Sequence, residues 1–358
     1  MKHSILRIII STGAVVALLT LTPGAYAQWT YGSGNLNAAQ TYDGLGVDSA
    51  LNPRSQGATS HNDYVGVGGI GSMTVQSGDL TITANDFKFA RNGNSTGTVS
   101  VVSGTLTINQ LNQWGGGIGV NNNNNNGVLG TANISSGGTL NWFLSGSSEQ
   151  SLRIGNGGSA TGVLGVNTRG IVNLNGGTFN VTLDAAQALT DANRGFAIGQ
   201  SGGTGTLNLN AGLLTVTGDL PFALGGVWGN LPTAALPGNV PAFTDNGNGL
   251  INLGSGVLQL TGSSLFGVGA DDNINFLSSG VNVGALSILN WTSVDFLSLA
   301  TAGKIQVDGE DVTDLSQFTY SSTGGQGILQ LTSVPEPGAL ALTIAGLGLL
   351  TVWNRRRA

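Results

Sequence analysis

The chain has 358 residues, of which 40% are hydrophobic and only 8% are charged; its net charge is −6 and it has no cysteine. This composition supports a sizeable buried core and excludes disulfides, cysteine nucleophiles and cysteine-ligated metals. The 60 glycines, and the single Val, Ile and Leu residues set between Ser, Thr and Asn, favour many short strands over long helices.

Residues 1–27 have the three parts of a secretory signal peptide. Lys2 and Arg7 form a basic start, an apolar stretch follows, and Ala25 and Ala27 form a small-x-small cleavage site. We therefore expect signal peptidase to cut after Ala27 and the rest of the chain to be exported. An uncleaved membrane anchor is the alternative, although the apolar stretch is short for a membrane span.

The exported part of the chain is strongly acidic. Residues 28–337 keep all 18 acidic residues but only seven basic residues, which gives a net charge of −11. Such a charge disfavours nucleic acid and anionic polymers as partners, and leaves neutral glycans or calcium-bridged partners. A single histidine, His61, remains in this part, so a histidine-rich zinc site is excluded and metal binding could use only carboxylates and carbonyls.

The centre of the chain contains an internal repeat. Its five regular copies begin at Gly71, Gly97, Gly170, Gly205 and Gly249. In each copy, apolar residues stand 2, 4, 9 and 11 positions after the first glycine, and a second glycine stands 7 positions after it. A sixth copy, from Gly130, has one inserted residue. This alternation predicts two short strands per copy, each with one buried face.

Two strands have too little apolar surface to be stable alone, so neighbouring copies must stack. We expect an all-β fold whose body, residues 65–262, is a parallel β-solenoid; a stack of β-hairpins is the alternative. The second glycine of each copy suits a tight turn with a positive φ. We interpret three Ile-Gly pairs as the start of turns that lead from one copy to the next strand. These pairs begin at Ile118, Ile154 and Ile198.

The segments on either side of the body lack clear copies of the repeat. Because open solenoid ends invite further strand pairing, residues 28–64 and 263–333 are predicted to be β-rich caps. In the second cap, Asp308 and Gly309 predict a turn between two strands.

Candidate sites inside the body and caps are few. Asp308, Glu310 and Asp311 are weak calcium candidates, although solvated turn acids are the simpler interpretation. Asp314 belongs to the same acid cluster, and Asp271 and Asp272 form a second pair. A carboxylate pair could hydrolyse glycosides if held at the right separation, but solvated turn acids are the simpler interpretation here too. We therefore predict no catalytic residue and no cofactor. Trp142 occupies a core-facing repeat position, and the other tryptophans are interpreted as packing residues or as a sugar-binding platform.

Residues 334–358 have a three-part organisation. Val334, Pro335, Glu336 and Pro337 precede an apolar run from Gly338 to Trp353, and three basic residues follow, namely Arg355, Arg356 and Arg357. The run predicts a C-terminal transmembrane helix, with the arginines holding its end in the cytoplasm.

This tail resembles the PEP-CTERM sorting signal of exopolysaccharide-producing Gram-negative bacteria. The resemblance implies processing by an exosortase at the Pro-Glu-Pro region, after a transient stay in the inner membrane. Pro335, Glu336 and Pro337 would then be a recognition motif. A plain tail anchor is the alternative.

The body resembles, more distantly, the Gly-rich strand repeats of autotransporter-like and adhesin-like surface proteins. The sequence therefore predicts a non-enzymatic structural or adhesive protein of the cell surface or extracellular matrix, in contact with polysaccharide. The alternatives are a polysaccharide-active β-solenoid enzyme and a secreted glycan-binding module.

Overall fold

The computed structural model describes residues 35–36, 39–42, 62–84, 86–91, 93–111, 116–121, 127–145, 151–158, 167–183, 195–218, 221–226, 247–261, 266–278 and 283–332. Among these residues the fold is all-β, with parallel sheets and a single α-helix, α1 (Ser293–Thr301). The predicted signal peptide and sorting tail lie outside the described residues.

The strands are, in chain order, β1 (Asn35–Leu36), β2 (Ala39–Tyr42), β3 (Asn62–Val67), β4 (Ile70–Val75), β5 (Asp79–Ala84), β6 (Asp86–Arg91), β7 (Ser95–Val101), β8 (Thr105–Gln110), β9 (Gly116–Val120), β10 (Val128–Ser135), β11 (Thr139–Leu144), β12 (Ser151–Asn156), β13 (Arg169–Leu183), β14 (Gly195–Gln200), β15 (Thr204–Thr217), β16 (Phe222–Leu224), β17 (Asn248–Leu253), β18 (Val257–Leu260), β19 (Phe266–Val268), β20 (Asn273–Phe276), β21 (Ala285–Leu289), β22 (Ile305–Val307), β23 (Glu310–Asp311), β24 (Phe318–Thr323) and β25 (Gln326–Leu331).

Each repeat copy places its two strands against the same two strands of the next copy. β4 pairs in parallel with β7, and β7 with β10, so that the first glycines of these copies lie opposite one another. β5 pairs in parallel with β8, and β8 with β11. Consecutive strands such as β4 and β5 therefore pair with strands of neighbouring copies and not with each other, as they would in a β-hairpin. The first strands of the copies form one series of paired strands, and the second strands form another. The long strands β13 and β15 contribute to both series.

The apolar positions of the repeat form the core, as the alternation predicts. In all five regular copies, the residues 2, 4, 9 and 11 positions after the first glycine are at most 1% exposed. They are Met73, Val75, Leu80, Ile82, Val99, Val101, Leu106, Ile108, Val172, Leu174, Phe179, Val181, Leu207, Leu209, Leu214, Val216, Ile251, Leu253, Leu258 and Leu260. Removing this apolar surface from water is the main stabilising contribution to the body.

A third series of strands, absent from the sequence prediction, completes each copy. Its order is β1-β3-β6-β9-β12-β14-β16-β19, and every pairing is parallel. Most of these strands are buried on both faces, so they lack the alternation that marks a half-exposed strand. The Ile-Gly pairs lie inside this series, with Ile118, Ile154 and Ile198 in the core, and not in turns.

The repeat glycines are required mainly because backbones approach closely. A Cβ added at Gly205 would lie 2.2 Å from the carbonyl oxygen of Ile154, and one at Gly104 would lie 2.3 Å from that of Gly78. The prediction of a positive φ at the second glycine is correct for Gly78 and Gly212, with φ of 75° and 97°. It is wrong for Gly104, Gly177 and Gly256, which do not have a positive φ; at these positions a side chain is excluded because it would collide with the neighbouring backbone.

The parallel stack extends into both predicted caps. β1 and β2 pair in parallel with β3 and β4, and β20, β21 and β22 continue the two repeat series. Antiparallel pairing begins at β23, which forms a hairpin with β22 across Asp308 and Gly309, both with positive φ, as the sequence predicts. β24 and β25 form a second hairpin, and β25 also pairs with β21.

Candidate functional site

The sorting and cleavage residues lie outside the described residues. These are Ala25, Ala27, Val334, Pro335, Glu336, Pro337, Arg355, Arg356 and Arg357. The apolar run of residues 338–353 also lies outside them. Within the described ranges, no helix has the length and apolar character needed to cross a membrane.

The weak calcium candidates are engaged in local hydrogen bonds. The Asp308 carboxylate accepts bonds from the Ser278 backbone N–H, at 2.9 Å, and from the Ser278 hydroxyl. Asp311 Oδ1 accepts a bond of 2.9 Å from Gln306 Nε2, and Glu310 is exposed. In the described part of the chain, no group of three or more His, Cys, Asp and Glu side chains is placed to hold a metal ion. Calcium binding here stays a prediction.

The other acids considered for catalysis have structural partners. Asp272 is buried, and its Oδ1 accepts a hydrogen bond from the Gly249 backbone N–H. Asp314 Oδ1 accepts a bond of 2.8 Å from the Ser316 backbone N–H, and the hydrogen bonding from Ser316 lowers the pKa of this carboxyl. Asp272 thus binds the backbone of strand β17, and Asp314 stabilises a local turn.

A buried ionic cluster, which the sequence prediction missed, lies on the third series of strands. Lys88 Nζ lies 2.7 Å from Asp86 Oδ2, and the two side chains are 0% and 1% exposed. The Tyr64 hydroxyl, on the neighbouring strand β3, donates a bond of 3.1 Å to the same oxygen. The Arg91 guanidinium lies 4.0 Å from this oxygen and 4.5 Å from the centre of the Tyr64 ring. We name these four residues the Asp86 cluster.

Burial dominates the electrostatics of the Asp86 cluster. It raises the pKa of the Asp86 carboxyl and lowers the pKa of the Lys88 amine, and the attraction between the two groups opposes both shifts. Because Asp86 and Lys88 are removed from solvent, a substrate could reach them only if the strands opened. The cluster therefore fits a structural role, in which each charge requires the other to remain buried.

Asparagine ladders, also missed by the sequence prediction, run along the outside of the first repeat series. In the longest ladder, each Nδ2 donates to the Oδ1 of the asparagine on the preceding paired strand, at 2.8–3.1 Å. Its members are Asn133, Asn173, Asn208, Asn252 and Asn275. The Gly309 backbone N–H donates to the final Oδ1, at 2.9 Å. Four members stand three positions after the first glycine of a copy, which is the sequence signal that could have revealed them.

The exterior of the two repeat series is nearly uncharged. In β4, β5, β7, β8, β10, β11, β13, β15, β17, β18, β20 and β21, the outward-facing residues are mostly Thr, Ser and Asn. Asp79 and Arg169 are the charged residues among them. Neighbouring strands lie ~4.8 Å apart. The Thr, Ser and Asn side chains therefore form rows of hydroxyl and amide groups, which apolar residues such as Ile171, Leu213 and Leu250 interrupt. We call this exterior the polar face.

Comparisons with known proteins found no similar protein. No protein-family model matches this chain, and neither does any curated protein or solved structure. The function must therefore be inferred from the residues and their arrangement.

The described tryptophans pack inside the molecule. Trp142 is 0% exposed, as its repeat position predicts, and its Nε1 donates a bond of 3.1 Å to Gln110 Oε1. Trp291 packs against Phe266 and Phe296, with ring centroids 5.6 Å and 5.2 Å away. These two residues match the interpretation as packing residues. Trp114 and Trp228 lie outside the described residues.

Proposed function

We propose that this chain is an exported, non-enzymatic structural or adhesive protein of the cell surface or extracellular matrix of a Gram-negative bacterium. In this proposal its body is a parallel β-solenoid, a long rigid scaffold built by stacking coils. Exosortase acts on the Pro-Glu-Pro region, after the C-terminal apolar run has held the protein transiently in the inner membrane.

The polar face is the observation that carries this proposal. Its rows of hydroxyl and amide groups are suited to many weak hydrogen bonds with a neutral, hydroxyl-rich polymer such as an extracellular polysaccharide. Side chains held in ladders and on paired strands lose little conformational entropy on binding, which favours repeated contacts along an extended partner.

The acids that could support an enzyme have other roles in the described residues. Asp86 and Lys88 are buried, and Asp272, Asp308 and Asp314 accept hydrogen bonds from backbone N–H groups. This arrangement supports a scaffold over a polysaccharide-active enzyme.

Intact-mass measurement tests the export and sorting steps directly. We expect loss of residues 1–27 and of the segment beyond the Pro-Glu-Pro motif in cells that contain the sorting protease, and retention of the tail in cells without it. Glu336→Ala should block the second cleavage. Glu310→Ala changes an exposed acid outside the motif and should leave the cleavage intact.

A product that still ends at Ala358 in both strains would contradict the sorting proposal. Matrix retention is measured on the same cultures by fractionating cells, polysaccharide and medium. Recovery of the processed protein in the medium alone would contradict the structural or adhesive role.

A further inference from the structure

The three strand series end differently at the C-terminal side of the molecule. In the third series, the last strand, β19, is covered, because Phe266 packs against Trp291 and Trp291 against Phe296 of α1. The first series ends in β23, whose two residues, Glu310 and Asp311, are exposed acids. Short edge strands and charged side chains are common protections against unwanted strand pairing. The second series ends in β24, which has neither.

β24 is a six-residue strand without charge or proline. Thr319, Tyr320, Ser321, Ser322 and Thr323 are all exposed. Among the described strands, β24 pairs with β25 alone. Within the described ranges, its second edge is therefore unpaired and its side chains are exposed.

The register of the hairpin identifies the backbone groups on this edge. Thr323 and Gln326 flank the two-residue turn and form a hydrogen-bonded pair, and hydrogen-bonded pairs then alternate along the hairpin. The N–H groups of Thr319 and Ser321 consequently point to β25. Those of Tyr320 and Ser322 point away from it, toward the open edge.

A second feature adjoins this edge. Tyr320 packs against Phe296 of α1, with ring centroids 6.2 Å apart, so α1 lies on the Tyr320 face of the hairpin. Val294 and Leu297, one helical turn apart on α1, are 64% and 40% exposed, and Tyr320 is 37% exposed. Tyrosine is enriched in protein–protein interfaces, so the exposed Tyr320 on β24 favours an interaction at this strand.

We propose that β24 pairs antiparallel with β24 of a second copy of this chain, around a two-fold axis. Two-fold pairing joins identical uncharged strands, so no like charges lie opposite one another in a protein with a net charge of −6. With the axis perpendicular to the sheet, both α1 helices lie on the same face of the joined sheet.

Ser322→Pro tests the pairing without breaking the hairpin. Proline removes an N–H that points to the open edge, and proline is tolerated on edge strands where the N–H faces solvent. In light scattering of the full chain in mild detergent, the unaltered protein and the matched control Ser322→Thr should be dimers. Ser322→Pro should raise the dimer Kd by about tenfold or more, with a melting temperature equal to that of the control. A monomeric unaltered protein, or a dimer that Ser322→Pro leaves intact, would overturn the proposal.

Disulfide cross-linking tests the two-fold geometry, since the chain has no cysteine of its own. The edge groups of Tyr320 and Ser322 in the two copies must face one another, so one of the positions 320, 321 and 322 lies opposite itself. Of the single variants Tyr320→Cys, Ser321→Cys and Ser322→Cys, one should cross-link far faster than Thr313→Cys, an exposed control in the same cap. Equal rates in all four variants would contradict the two-fold pair.

Discussion

At the scale of single residues, glycine and charge have roles that their sequence positions only partly indicate. Gly205 has no positive φ, yet its missing side chain allows two backbones to pass within van der Waals contact. Lys88 lies between two phenylalanines in sequence, and its strand is buried on both faces, so its amine has no path to water. In both cases the neighbouring strands limit the space and the access to water at that position, and this limits which residue can stand there.

The Asp86 cluster predicts a pH-dependent effect of Lys88→Met. At pH 7 the change leaves a buried carboxylate without its nearest cation, and should cost about 3 kcal/mol of unfolding free energy. Since burial raises the pKa of Asp86, this carboxyl becomes protonated as the pH falls through that raised pKa. A neutral carboxyl needs no counter-charge, so the loss should shrink at acidic pH.

Urea unfolding of the unaltered protein and of Lys88→Met, at pH 7 and pH 4, measures this difference. Arg169→Met removes an exposed cation of the polar face and should change the urea midpoint little at either pH. An equal loss at both pH values for Lys88→Met would show that packing, rather than charge, accounts for its effect.

At the scale of elements, hydrogen bonds between side chains stabilise the register between paired strands of neighbouring copies. Asn208 donates to Asn173 and accepts from Asn252, both at 2.8 Å. A slip of one residue would turn these asparagines toward the core, because successive side chains point to opposite faces of a strand. The ladder therefore disfavours wrong registers in addition to stabilising the correct one.

Asn208→Asp should destabilise the ladder in a pH-dependent manner. At pH 7 a carboxylate oxygen would replace the Nδ2 donor and face the Asn173 Oδ1, which should cost about 2 kcal/mol of unfolding free energy. A protonated carboxyl can donate instead, so the folded state raises the pKa of the new group. Stability should then recover as the pH falls toward about 4.

Thermal unfolding at pH 7 and pH 4 provides the measurement. Thr206→Asp, on the same strand and face but outside the ladder, is the matched control and should show a smaller pH dependence. A similar pH dependence in both variants would indicate a general charge effect rather than a ladder effect.

At the scale of the whole molecule, each copy of the repeat is supported mainly by the neighbouring copies. The register places residues of one copy opposite equivalent residues of the next, for example Asn173 opposite Asn208, 35 residues later. The free energy of unfolding of such a repeat array is approximately the sum of the contributions of the single repeats and of the interfaces between neighbouring repeats. Removal of one complete period should therefore leave a shorter but folded stack.

Deletion of residues 173–207 removes one such period and joins Val172 to Asn208, which preserves the alternation through the junction. We expect a folded protein with a modestly lower melting temperature. Deletion of residues 173–206 joins Val172 to Leu207 and should place the following side chains on the wrong faces. Circular dichroism and thermal unfolding compare the two deletions; equal stability would contradict the register argument.

Much of the core could be predicted from the alternation of the repeat. The burial of Val172, Leu174, Phe179 and Val181 follows from a period of two residues, because one face of each strand contacts the core. The tight turn at Asp308 and Gly309 also follows from local preference, since such a turn requires residues that accept a positive φ. The Asp86 cluster and the third strand series could not be predicted in the same way. Strands buried on both faces show no alternation, and the partners of Asp86 come partly from another strand.

The sequence by itself determined the positions of the core residues, the uncharged exterior and the expected export and sorting signals, because these depend on composition and local order. Only the tertiary structure decided which asparagines pair, which glycines are needed for space and which strand edge stays open. Those properties depend on the register between strands that lie tens of residues apart. That register results from the parallel pairing of successive copies, so it cannot be inferred from any short stretch of the chain.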